Sequence, residues 1–307
     1  MNKKIVVIGS CNTDMVVKSD RLPMPGETVL GGAFMMNQGG KGANQAVAVA
    51  RLGGNATFIT KTGNDLFGKQ SIEMFDKENI NIDNILSDPH QPSGVALIMV
   101  DVNGENCIVV ASGANANLNV HDIEKTRNVI ESADILLMQL EIPMSTVEYA
   151  AKIAYDKGIK VILNPAPATS LSNELIKCLY AIVPNKTEAD ILSGIKVSDW
   201  DSARKAADFI SAKGVNNVVI TLGSKGAFIK EGDSYIEVPV EKIKAIDTTA
   251  AGDTFCGAFC VGLSEGLSVE AAVRMANKAA GITVTREGAQ AAIPYRKELM
   301  LKSTEVL

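Results

Sequence analysis

The chain has 307 residues, 46% hydrophobic and 21% charged, with a formal net charge of -5. This is the composition of a globular protein able to bury a core in one large domain or two, and its mild acidity argues against a nucleic-acid surface. The N-terminal MNKKIVVIGS carries too short an apolar run for a secretory signal, and no stretch reaches membrane-spanning length, so a cytoplasmic protein with small-molecule partners is expected.

In chain order, apolar β-branched runs alternate with helical patterns. KIVVIG (4–9), ATFITKTG (56–63), ADILLMQL (133–140), IKVILNPAP (159–167) and VNNVVITLG (215–223) read as strands. GANQAVAVARLGG (42–54) and VEYAAKIAYDKG (147–158) read as helices. Strands apolar throughout and separated by helices predict an α/β sandwich around a mostly parallel sheet covered on both faces. Two hairpin-like stretches, 14–35 and 94–112, interrupt this rhythm, with turns at Pro23 to Gly26 and Asn103-Gly104. They predict a small separate sheet. No repeat or linker divides the chain, so a single domain over 1–307 is expected. The five cysteines form no CxxC pair, and Cys256 and Cys260, four apart, are expected to pack a helix face.

In a parallel sheet, chemistry belongs just beyond the carboxyl ends of the strands. Asn12 and Asp14 follow the first strand; they face one way if the segment is extended, or else form a turn. NQGGKGANQA (37–46) is no Walker loop, because Met35 stands where the first glycine is needed and Gly42 follows Lys41 in place of Ser or Thr. It is either a tight turn or a place where backbone meets a ligand, with Asn44 in the first helical turn. Glu141 either bonds a ligand or favours the helix that Pro143 opens. Asn185 and Glu188, three apart, share one face of a helix start. TLGSKG (221–226) is a glycine-bracketed turn with N–H groups free for phosphate. His90 and His121 accompany none of these groups and read as surface residues.

DTTAAGDTF (247–255) leads into a long helical run of small residues, CGAFCVGLSEGLSVEAAVRMANKAAGITV. Bare N–H groups behind Ala250, Ala251 and Gly252 invite an anion. Read alone, though, Asp253 is a helix cap.

Taken in order, GETV, GGKGANQAVA, VNGEN, SGANA, LLMQLE, LNPAPA, PNKTEA, ITLGSKG, DTTAAGDTF and VTREGAQ make the chain similar, nearly end to end, to the ribokinase-like carbohydrate kinase family, which includes adenosine kinase and bacterial fructokinases. The resemblance implies a three-layer α/β sandwich with a β-sheet lid from the two hairpins, often paired into a homodimer. It implies ATP-dependent phosphorylation of D-ribose at its 5-hydroxyl, with Mg²⁺ required and K⁺ activating. Asp253 would be the general base, and the turn Ala250, Ala251, Gly252 the anion hole for the transferred phosphoryl group. The family turn usually begins with Gly, where Ala250 stands here.

By the same resemblance, Asn12, Asp14, Gly40, Lys41, Gly42, Asn44 and Glu141 would surround the sugar. Asn185 and Glu188 would order hydrated magnesium and the ATP phosphates. Thr221, Leu222, Gly223, Ser224, Lys225, Gly226, Gly252 and Asn277 would meet the nucleotide. Asp247 with the carbonyls of Thr249, Thr283, Arg286 and Gly288, and with Ala292, would form the potassium site. The alternatives are a kinase for another small sugar, such as deoxyribose or fructose, or an inactive sugar-binding regulator; intact Asp253 and NKTE speak against the last.

Overall fold

The computed structural model describes residues 3–300; the two ends of the expected domain, 1–2 and 301–307, lie outside the described residues. Among the described residues thirteen strands run in chain order: β1 (Lys4–Ile8), β2 (Asn12–Lys18), β3 (Ala33–Gly39), β4 (Asn55–Gly63), β5 (Ile85–Asp88), β6 (Gly94–Val100), β7 (Asn106–Ala111), β8 (Ile135–Met138), β9 (Lys160–Leu163), β10 (Ala181–Ile182), β11 (Asn217–Thr221), β12 (Ala227–Glu231) and β13 (Ser234–Val238).

The large sheet has the order β13-β12-β11-β10-β9-β8-β1-β4-β5. Its strands run parallel except for β12, which is reversed, so that β11, β12 and β13 pair antiparallel at one edge. Apolar residues on both sides of each central strand explain this layering. In β1, Ile5 and Val7 enter one core while Val6 and Ile8 enter the other; β8 divides Ile135 and Leu137 from Leu136 and Met138 in the same way. One core is roofed by the helices Lys41–Arg51, Ala251–Ser264 and Val269–Thr283, the other by Met144–Asp156 and Trp200–Ser211.

The small sheet, ordered β3-β2-β6-β7, is the lid. Asn12 and Asp14 therefore lie within a lid strand rather than in a turn after β1, Asp14 pairing with Asn37 on one side and Ala96 on the other. The first expected hairpin is not tight: residues 19–32 connect its strands, with one hydrogen-bonded turn from Met24 to Glu27. The second closes as expected around Asp101 and Gly104, whose φ is 81°.

The run behind DTTAAGDTF is two helices. Gly266, at φ 87°, ends the first, and Ser268 caps the second by accepting from Ala271 N. Helices Lys41–Arg51 and Ala251–Ser264 pack so closely that a Cβ on Gly257 would lie 2.6 Å from Ala48 Cβ. This contact, one turn beyond Asp253, sets the distance between Asp253 and Asn44. Cys256 and Cys260 are buried on the same helix, as their spacing predicts.

Candidate active site

A cavity of about 380 Å³ opens between the lid and the carboxyl ends of the large sheet. Its position is dictated by topology, since Glu141, Asn164, Val183 and Thr221 lie at or just beyond the ends of β8, β9, β10 and β11. The lid supplies Asn12 and Asp14 from β2 and an apolar wall of Ala96, Ile98, Ile108 and Val110 from β6 and β7. Helix starts supply Lys41, Asn44, Glu188 and Asp253.

Asp253 does not cap its helix. The N-cap is Ala250, with no side-chain bond, and Asp253 stands in the first turn with its carboxylate aimed across at a neighbouring helix. Asn44 Nδ2 donates to its Oδ2 at 2.9 Å and Gln45 Nε2 to its Oδ1 at 3.0 Å. The residue is 6% exposed, and burial raises its pKa against the opposing pull of Lys41 and the two amides. Ala250 adopts the left-handed conformation at φ 59°, which swings the chain into the helix and turns the Gly252 and Asp253 N–H groups out without backbone acceptors among the described residues. The Ala251 N–H is engaged instead, donating to Thr248 O at 3.3 Å.

On the lid side, Asn12 Oδ1 accepts from Asn115 Nδ2 at 2.8 Å, so its own NH₂ is the end offered to a ligand. Burial, with Glu141 and Asp253 nearby, pushes the Asp14 carboxyl up to about 7. Gly39, paired with Asn12 and beside Asp14, has no room for a side chain: its Cβ would lie 2.2 Å from Asp14 Oδ2. Glu141 Oε2 accepts from Ser10 Oγ at 2.5 Å and from Lys41 N at 3.0 Å, tying β8, β1 and the glycine turn together. Gly40 lines the cavity at φ 89°, whereas Gly42 is absent from its walls; a Cβ there would lie 2.6 Å from Ser10 N, so its part is close packing on the end of β1. Asp253 raises the pKa of Lys41, with Glu141 and Glu188 adding to the effect.

Asn185 and Glu188 lock each other in a capping box. Asn185 N and Nδ2 donate to the two carboxylate oxygens at 2.8 Å, and Glu188 N donates back at 2.9 Å. Of the 221–226 turn, only Thr221 reaches the cavity; Leu222 to Gly226 continue beyond it as a 3-10 turn, with Gly223 at φ 59° and Gly226 at φ 100°. Asn277, outside the cavity, donates to Val238 O at 3.4 Å. No group of three or more His, Cys, Asp or Glu among the described residues could cage a metal; Glu188 and Asn185 suit a magnesium ion kept largely in water.

The segments around 247 and 288 meet. Asp247 Oδ1 accepts from Thr249 N at 2.9 Å and from Thr249 Oγ1 at 2.6 Å, and Oδ2 accepts from Gly288 N at 2.9 Å. Against the burial that would raise it, these bonds hold Asp247 below its usual pKa, so an anion stands beside the backbone of Thr249 and Gly288. Val284 O, next in the chain to Thr283, accepts from Ile246 N at 2.7 Å and from Asp247 N at 3.3 Å, while the Thr283 carbonyl accepts from Arg286 N at 3.1 Å. The Arg286 side chain turns away to Glu298, and Ala292 is buried in the 3-10 turn Gln290–Ala292.

The description "pfkB family carbohydrate kinase" matches residues 2–296. The chain belongs to the pfkB family of carbohydrate kinases. Among pfkB relatives, it is 46% identical to a ribokinase of Haemophilus influenzae over 301 residues, 98% of each chain. It is 38% identical to a deoxyribokinase of Salmonella typhimurium over 291 residues, 94% of this chain and 95% of that one. The solved structure of Arabidopsis thaliana ribokinase complexed with ribose and ATP superposes with a TM-score of 0.92 at 34% identity, covering 98% of both chains.

For this pfkB chain, sequence reasoning passed over Gln45 and Ser10, which bond the carboxylates of Asp253 and Glu141, over Asn164, which accepts from Gln45, and over the apolar lid wall. Gln45 adjoins Asn44 in GANQ and could have been singled out there. The lid wall shows only as alternation along β6 and β7, where it is hard to tell from an ordinary hairpin.

Proposed function

We propose that the protein transfers the γ-phosphoryl group of ATP to the 5-hydroxyl of D-ribose. The observation that carries this reading is the junction at Asp253: one buried carboxylate and two unpaired N–H groups, of Gly252 and of Asp253 itself, face the same cavity as Asn12 and Asp14. Phosphoryl transfer asks for positioning and for stabilisation of charge on the phosphoryl oxygens, more than for covalent chemistry.

Asn12, Asp14, Lys41, Asn44 and Glu141 bind the sugar hydroxyls, and the carboxylates and amides match a polyol's alternating donors and acceptors. With its 5-hydroxyl at Asp253, the sugar attacks the γ-phosphorus; the hydroxyl proton passes to the Asp253 carboxylate and ADP departs. The Gly252 and Asp253 N–H groups take up developing charge. A weak base suffices, since a loose transition state demands little activation of the nucleophile. Lys41 steadies the carboxylates and the incoming phosphate. Asn185 and Glu188 would hold the water shell of Mg²⁺, which would shield phosphate charge when bound. Leu222 to Gly226 and Asn277 form the nucleotide's berth. Asp247 with the carbonyls of Thr249, Thr283, Arg286 and Gly288, and with Ala292, would hold K⁺, which would supply positive charge beside the loop that carries Ala250.

We further infer a cytoplasmic homodimer. The outer face of the lid presents Phe34, Met36, Leu97 and Val109, all well exposed, to a second lid. Among the described residues, no helix is long and apolar enough to cross a membrane.

The relation to a deoxyribokinase motivates a second reading, deoxyribose as acceptor. An ATP-consumption screen across pentoses and hexoses, with the product identified by NMR, tests both. Ribose should give the highest kcat/KM and ribose 5-phosphate; a higher value for deoxyribose or fructose overturns the substrate assignment.

A further inference from the structure

Asp253 stands at one end of a chain of fully buried amides. Gln45 Nε2 donates to Asp253 Oδ1 at 3.0 Å and to Asn164 Oδ1 at 3.1 Å, while Gln45 Oε1 accepts from Gln139 Nε2 at 2.5 Å. Gln45 and Gln139 are both 0% exposed and touch neither solvent nor the cavity wall. The direction of every bond follows from Asp253. A carboxylate only accepts, so Gln45 must turn its NH₂ toward it; the Gln45 oxygen then faces Gln139, which must answer with its own NH₂.

The chain ends on an unpaired atom. Gln139 Oε1 has no partner among the described residues, and it lies against Gly9, where a Cβ would come within 2.0 Å of it. A buried acceptor without a donor is costly, and such a group calls for an explanation. Reversing Gln139 would set its oxygen against that of Gln45 and free Gln45 to turn its own oxygen on Asp253.

We infer that Gln45, oriented by Gln139, is a positioning residue that holds the Asp253 carboxylate in a single orientation, with Oδ1 accepting from Gln45, Oδ2 from Asn44, and the remaining lone pairs left for the sugar. This rests on the reading of Asp253 as proton acceptor. The charged and titratable groups around that carboxylate are Lys41, Asp14 on the lid, Glu141 beyond β8, Glu188 and Cys256. Burial raises Asp253, and Lys41, Asn44 and Gln45 oppose it, so loss of the Gln45 bond raises the pH at which the base takes up a proton.

Two variants test this. Gln139→Met touches Gln45 but not Asp253, and it exchanges one unpaired oxygen for another, so thermal melting should shift by no more than a few degrees. Gln45→Met removes the donor itself. With ribose, kcat should fall roughly tenfold in Gln139→Met and roughly a hundredfold in Gln45→Met. The acid limb of kcat/KM should move to higher pH by up to about one unit. Calorimetric binding of Mg²⁺ with a non-hydrolysable ATP analogue should be unchanged. A folded Gln139→Met protein with wild-type kcat and acid limb overturns the inference. So does one that fails to fold, or one that loses nucleotide binding in step with kcat, since either makes the amides merely structural. Asp253→Asn, measured alongside, keeps the two readings apart. If it stays active, the base assignment fails; if it collapses while Gln139→Met does not change, only the positioning role fails.

Discussion

Asn44 reaches across a helix interface to donate to Asp253 at 2.9 Å, so the carboxylate spends itself on a neighbouring helix and not on its own N-terminus. Replacing Asp253 by Asn therefore leaves helix capping untouched and removes the proton acceptor; its NH₂ meets Asn44, whose Oδ1 has no partner among the described residues and can turn to accept it. In Asp253→Asn, kcat should fall on the order of 10²- to 10⁴-fold with a melting temperature within a few degrees of wild type. Steady-state kinetics and calorimetry on that variant check it; a folded protein with near wild-type kcat refutes the base.

Asp14 carries a carboxyl raised to about 7 by burial and by Glu141 and Asp253. The unfolded chain ionises this group near its ordinary value, so between there and pH 7 the folded state binds more protons, and its stability falls as pH rises through that window. Asp14→Asn removes the loss. Relative to wild type it should gain roughly 1–2 kcal/mol between pH 4 and pH 8, after allowance for screening of a partly exposed group. Its KM for ribose should rise at the same time. Urea unfolding at both pH values measures the gain, and an equal stability difference at the two denies it.

Ala250 holds a left-handed backbone at φ 59°, a conformation that costs a residue with a Cβ about 1–2 kcal/mol. Ala250→Gly should stabilise the protein by roughly 0.5–1 kcal/mol, since glycine loses some of the gain to its greater freedom when unfolded. Activity should be retained. Ala250→Val should do the reverse, lowering both melting temperature and kcat.

At the Asp247 site, exchanging K⁺ for Na⁺ at constant ionic strength should lower kcat on the order of tenfold. Asp247→Ala should erase the difference between the two ions. Equal rates in K⁺ and Na⁺ for the wild-type protein would remove the site.

Gly257 touches Ala48 with no space between the two helices. Gly257→Ala must push them apart, at a cost of roughly 1–3 kcal/mol. Because Asn44 and Gln45 meet Asp253 one turn away, kcat should fall further than that loss of stability alone explains. Activity compared at a temperature where both proteins are fully folded decides it.

Much of this was legible from residue order. Strands apolar on both sides, such as KIVVI and ILLM, announce a covered parallel sheet, and polar residues just after them fall at its carboxyl edge. What escaped was set by contacts distant in sequence. The two-residue strand β10 exists only because β9 and β11 flank it. The β12–β13 hairpin is a different case: it turns at Gly232-Asp233, a two-residue turn signal between AFIKE and SYIEV that was legible and passed over. VPVEKIKAI reads as β-branched, yet β13 stops at Val238, because the segment beyond it crosses to the 247 loop. Asp253 misleads most, since nothing within nine residues reveals that Asn44 and Gln45, more than two hundred positions earlier, compete for its carboxylate and win.

Asn12 and Asp14 belong to the lid, whereas Glu141, Asn44 and Asp253 belong to the body. A sugar grasped by both halves is thus also the fastener that joins them, and each missing hydroxyl loosens the joint as well as the grip. A poor acceptor would bind with the roof ajar, letting water compete for the same phosphoryl group. Wasteful ATP hydrolysis, measured as ADP formed in excess of sugar phosphate, should therefore rise as the acceptor loses the hydroxyls that face β2, and should be least with the sugar that seals the site best.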